Sequence, residues 1–116
     1  MECSYRDYVN VLVQKYNLEK KQFGITTSYR EYRFPNLSIN DYVMSHDSES
    51  YLVSKSKIML AGKICLDNAG EIIAKGYTFY DLSNEKKEIE IQLKKLQKEY
   101  LSCKEELKLM NIKEMF

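Results

Sequence analysis

Seven apolar positions near the C-terminus, Ile89, Leu93, Leu96, Tyr100, Cys103, Leu107 and Met110, recur at alternating steps of four and three. That alternation holds one apolar seam along a helix through three heptads. It predicts a long helix over 84–112, with Ser83 or Asn84 as its cap. Glu85 and Glu88 suit the positive end of such a helix, and Glu90 stands four residues before Lys94 in the favourable order. The last quarter of the chain is therefore expected to bury one stripe against something else.

Upstream, Tyr5, Val9, Leu12 and Tyr16 share one helical face, with Tyr8 and Val13 beside it. They predict a first helix from Ser4 to Phe23, opened by Ser4 with Asp7 and closed by Gly24. The β-rich run Val9–Val13 keeps a strand open as the alternative. Pro35 biases Phe34 away from helix, so 25–36 reads as irregular or extended. Ser38 with Asp41 marks a second N-cap and a short helix through His46. Beyond Tyr51 the pattern becomes sheet-like, with a short strand at Tyr51–Val53 and longer ones over Ile58–Leu66 and Ile72–Leu82. Asp67-Asn68-Ala69-Gly70 between the last two is turn chemistry, with Gly70 free to take positive φ. Gly62 and Gly76 fall inside those strands, where glycine marks a bulge or a close approach of another backbone. The expected fold class is α+β: two N-terminal helices, a small antiparallel β-hairpin sheet and a long amphipathic C-terminal helix, in the order α-α-β-β-α.

Composition narrows the function classes. The 116 residues suit one domain over 1–116, with 84–113 as its long helix. Lys and Arg total 18 against 17 Asp and Glu, so no basic field exists to gather nucleic acid. No apolar stretch approaches the roughly 18–20 residues that span a bilayer, and Met1-Glu2-Cys3-Ser4 does not resemble a signal peptide. The three cysteines, Cys3, Cys65 and Cys103, are odd in number and widely spaced, which argues against a disulfide framework or zinc site and for a reducing cytoplasm. Ten Tyr, no Trp and abundant Lys, Ile, Glu and Asn suit an AT-rich genome, such as that of a phage, a low-GC bacterium or an AT-rich eukaryote.

Two segments stand out as candidate interaction surfaces. In the heptad helix, Leu93, Tyr100 and Leu107 take a positions and Ile89, Leu96, Cys103 and Met110 take d. A parallel dimer would set Glu99 opposite Lys104 across the seam. The same stripe can instead pack on the protein's own hairpin and first helix, or on a foreign helix. The stretch Tyr29-Arg30-Glu31-Tyr32-Arg33-Phe34 interleaves aromatics with arginine, as interface anchors and base-stacking platforms do. Packing of those aromatics on the core is the structural alternative. His46, the sole histidine, reads as a solvated residue in a polar turn near Asp41, Asp47 and Glu49. No nucleophile-base pair, paired-acid arrangement, phosphate loop or metal-ligand spacing is defensible, so no catalytic residue, cofactor or metal is expected.

One local resemblance adds an alternative. Ala61-Gly62-Lys63-Ile64, Phe79-Tyr80-Asp81-Leu82 and Glu90-Ile91-Gln92-Leu93 occur in an order similar to the N-terminal OB domain of eukaryotic lysyl-tRNA synthetases, with Phe34-Pro35-Asn36 upstream where that family has a Tyr-Pro phrase. The likeness covers residues 34–93. It implies an OB-like barrel that binds the anticodon loop of an RNA.

The expectation drawn from the residues themselves is a small non-enzymatic protein-interaction module of the cytoplasm. It would be an adaptor or inhibitor of the kind found among phage and mobile-element accessory factors. It would act through the helical seam and the Tyr/Arg-rich stretch on a protein partner or a second copy of itself, and not on nucleic acid or membrane.

Overall fold

In a computed structural model of the chain, residues 5–22, 29–47 and 56–115 are described. Helix α1 spans Tyr5–Lys15 and buries Val9 and Leu12. It stops well short of Phe23 because Asn17 adopts a left-handed conformation (φ 53°), one that asparagine tolerates better than most residues. The Leu18 N–H then reaches back to the Val13 carbonyl at 2.9 Å, closing the helix. Glu19–Gln22, expected to be helical, form strand β1. Ser4, Gly24 and Tyr51–Val53, which entered the sequence expectation, lie outside the described residues.

Strand β2 spans Tyr29–Arg33. Pro35 and Asn36 (φ 68°) follow it in a turn closed by Leu37 N–H to the Phe34 carbonyl. Pro at the second position and a left-handed Asn at the third are what a type II turn requires. The expected second helix is absent. Ser38 and Asp41 form one turn, and the chain enters strand β3, Met44–Asp47, in the middle of a sheet. Instead of capping a helix, Asp41 accepts the Ala74 N–H on Oδ2 at 3.0 Å.

The two long strands expected over 58–66 and 72–82 each break in two. They become β4 (Lys57–Leu60), β5 (Lys63–Leu66), β6 (Ile72–Lys75) and β7 (Thr78–Asp81). The break is at the glycines. A Cβ on Gly62 would sit 2.6 Å from the Gly76 carbonyl oxygen, and Gly76 has φ 78°. The hairpin bends where these two backbones touch. Its tip, β5 with β6, forms a separate two-stranded sheet, while β4 and β7 complete a five-stranded antiparallel sheet in the order β1-β2-β3-β4-β7. The expected α-α-β-β-α order is therefore corrected, among the described residues, to one helix, seven strands and one helix.

Helix α2, Lys86–Met115, closes the chain. Its start is fixed by Asp81 and Glu85 rather than by Ser83 or Asn84. Asp81 Oδ1 accepts the Ser83 and Asn84 N–H groups, and Glu85 Oε1 accepts the Asp81 N–H at 3.0 Å. Glu85 thereby occupies one N–H on the outer edge of β7. The heptad seam faces inward. Ile89, Leu93 and Leu96 are fully buried, and Tyr100 and Cys103 nearly so, in one core cluster with Val9, Leu12, Tyr32, Phe34, Met44, Ile58 and Leu60. The Tyr100 ring stacks on Phe34 at 4.6 Å, and its hydroxyl donates to the Pro35 carbonyl.

Polar side chains fasten the same helix at its flanks. Gln92 donates to the Ala61 carbonyl at 2.8 Å, Lys95 to the Gly62 carbonyl at 2.7 Å, and Glu99 accepts the Ile64 N–H at 2.9 Å. Glu99 thereby occupies one N–H on the free edge of β5, and Gln92 and Lys95 satisfy carbonyls in the bend just before that strand. Near the other end, Glu90 receives Lys15 Nζ at 2.6 Å and the Tyr16 hydroxyl at 2.9 Å, tying α1 to α2. Among the described residues no helix is long and apolar enough to cross a membrane.

Candidate interaction face

Alternation along the strands sorts the residues of the five-stranded sheet onto two faces. Cross-strand partners Tyr32, Met44 and Leu60, with Ile58, point into the core beneath the helices. Glu31, Ser45, Met59 and Phe79 are directly paired from β2 to β7 and point the other way. Tyr29 and Arg33 share that outer face with Glu31.

On it, the Tyr29 hydroxyl donates to Glu31 Oε2 at 2.8 Å. Tyr42 places its hydroxyl 3.5 Å from the Met59 sulfur and packs its ring against Tyr77, centroids 4.6 Å apart. The Tyr77 hydroxyl donates to the Tyr42 carbonyl at 2.9 Å. Burial raises the pKa of the Tyr77 and Tyr29 hydroxyls, with Asp41 adding to the rise at Tyr77 and the Glu31 hydrogen bond adding to it at Tyr29. Tyr77 is pushed up to about 12, and Tyr29 is raised from its ordinary value as well. The Tyr29 and Tyr77 hydroxyls therefore stay protonated and neutral at physiological pH, and they give the face a polar-edged apolar surface.

The margin of this face is braced. Lys21 Nζ donates to the Ile39 carbonyl at 3.1 Å, and the Arg33 guanidinium bonds the carbonyls of Leu37 and Ile39. Leu37 bridges to Ile72, and Ser38 N–H bonds the Ile72 carbonyl at 2.8 Å. The result is a fixed loop that holds the Ile39 side chain out at 75% exposure. Phe79, 46% exposed, lies on the outermost strand of the same face.

The structure divides the residues that the sequence singled out. Of the Tyr/Arg stretch, Tyr32 and Phe34 are core residues at 2% exposure, and Arg30 lies on the inner face opposite His46. Tyr29, Glu31 and Arg33 belong to the outer face, with Arg33 engaged in bracing the loop. Of the seam, Ile89, Leu93, Leu96 and Tyr100 are inside the protein, whereas Leu107 is half-buried and Met110 is 46% exposed. Glu99 and Lys104, a cross-seam pair in a dimer, are occupied at home: Glu99 binds Ile64 N–H, and Lys104 lies over the Tyr100 ring. His46 is not a solvated turn residue but is buried in β3. Sequence reasoning missed Ile39, Tyr42, Met59 and Phe79. The period-two alternation of 77–81 was the one available signal, and it needed the strand break at Gly76 to be read correctly.

No protein family, curated protein or solved structure matches this chain. The OB-like alternative lacks its barrel among the described residues, since β1 and β7 are the two edges of an open sheet and do not pair. Among the described residues no group of three or more His, Cys, Asp or Glu side chains is arranged to hold a metal ion.

Proposed function

We propose that the chain is a non-enzymatic protein-interaction module, an adaptor or inhibitor, that binds a protein partner through the outer face of its five-stranded sheet. The observation carrying this reading is the placement of Phe79 and Met59 beside a tyrosine cluster on a face that neither described helix covers, with Ile39 held out on a braced loop at its margin. Aromatic and apolar side chains held rigidly lose little conformational freedom when they bind, which is the character of interface anchors. On α2, the exposed Leu109 and Met110 supply a second apolar contact.

The test is affinity capture from the source cells, comparing the native chain with Ile39→Asp, Phe79→Asp and the control Val11→Asp, which alters an exposed residue of α1. A partner retained by native and Val11→Asp protein, lost by both face variants, and binding again when purified, supports the proposal. Equal binding by all folded variants overturns it. Base stacking on the exposed Phe79 is the competing use of the same face. It requires affinity for single-stranded RNA that falls steeply with salt, and a titration at low salt showing no binding removes it.

A further inference from the structure

Two thiols 38 positions apart in sequence converge on one groove. Between β5 and α2 lies an open cleft of about 300 Å³ lined by Ile64, Cys65, Leu66, Glu99, Ser102 and Cys103, among others. Both cysteines are free; Cys65 is half-exposed and Cys103 is buried. The walls of the cleft are held in fixed register by the Ile64 N–H to Glu99 hydrogen bond, one helical turn before Cys103. Burial, then the neighbouring Cys65, raises the Cys103 thiol above its ordinary value. A partly exposed cysteine and a buried one lining the same cleft, on two elements already pinned together, suit the roles of an attacking and a resolving cysteine.

We propose that Cys65 and Cys103 form a modification site, at which a small-molecule disulfide converts the pair to an intramolecular disulfide that fastens α2 to β5. The exchange takes two steps. The Cys65 thiolate attacks one sulfur of glutathione disulfide, forming a mixed disulfide and releasing one glutathione thiolate. The Cys103 thiol, losing its proton to solvent, then attacks the Cys65 sulfur and expels the second glutathione. Two electrons pass from the protein to the reagent, and two glutathione molecules leave. Of the two cysteines, Cys65 reacts first because it is the one within reach of solvent.

The test uses the full chain carrying Cys3→Ser, so that only these two thiols remain. The protein is treated with glutathione disulfide, and its intact mass, free-thiol content and linked peptides are read. The expected result is loss of both free thiols, a mass lower by two hydrogens, no retained glutathione, and a Cys65–Cys103 linked peptide that forms faster in folded than in denatured protein. Cys103→Ala should stop at one glutathione held on Cys65, and Cys65→Ser should leave Cys103 reduced while the fold persists. The oxidised chain should melt at a higher temperature, reversibly on reduction. Folded protein that stops at a stable glutathione adduct, that does not react at all, or that links no faster than the denatured chain overturns the proposal.

Discussion

Gly62 and Gly76 show how much a single hydrogen in place of a side chain decides. Their contact bends the hairpin and lets one pair of strands serve two sheets. Gly62→Ala should lower stability by about 1–3 kcal/mol, the usual cost of forcing a methyl into a filled space, and chemical denaturation checks it. The close approach was legible beforehand, because two glycines inside apolar strands signal one. Its consequence, the division into four short strands, was not, since no local pattern says which partner each half will take. Asn17 is the converse case. A left-handed asparagine ends α1, yet the same residue type is common within helices at modest cost, so its stop signal is weak.

Elements inherit this unevenness. The seam of α2 was legible because its 4-3 spacing is long and few other structures tolerate it. What it packs against was not, because an intramolecular stripe and an intermolecular one are written in the same residues. Leu96, fully buried, and Met110, largely exposed, separate the two regimes within one helix. Leu96→Ala should cost about 2–5 kcal/mol of stability, whereas Met110→Ala should stay within about 0.5 kcal/mol. Similar losses at both positions would mean that the helix tip is also buried. Apart from the split hairpin, the misread elements lie in 16–47, where strands of four or five residues carry charged or polar side chains and their burial depends on neighbours distant in sequence. Most of the candidate face was therefore hidden. Tyr29 and Arg33 could be picked out from composition, but Met59 and Phe79 become neighbours only through the sheet, and Ile39 reaches its margin only through the bonds from Lys21 and Arg33.

At the scale of the whole molecule, the tyrosines make stability sensitive to alkali. Burial raises Tyr8, Tyr16, Tyr29, Tyr77 and Tyr100 above their ordinary value of 10.0, and Glu90 reinforces the rise at Tyr16 and Tyr8. A raised folded value means that the contribution is complete below the unfolded value and is lost as pH climbs through the folded one. Melting temperature should therefore fall above pH 10, in step with tyrosinate absorbance. On the acid side, the Lys15 hydrogen bond holds Glu90 below its ordinary 4.5. Its contribution is present above that value and disappears as pH falls through the lower folded one, so Glu90→Gln should flatten the acid limb of the stability curve. The central claim, that the heptad seam is the protein's own core and leaves the outer sheet face for a partner, is tested most directly by sedimentation of the native chain and Leu96→Glu, each followed by circular dichroism. The native chain should run as a monomer of 13.8 kDa, and Leu96→Glu should lose its folded signal, because a carboxylate cannot occupy a fully buried site. A native dimer that the substitution converts into a folded monomer would contradict the claim.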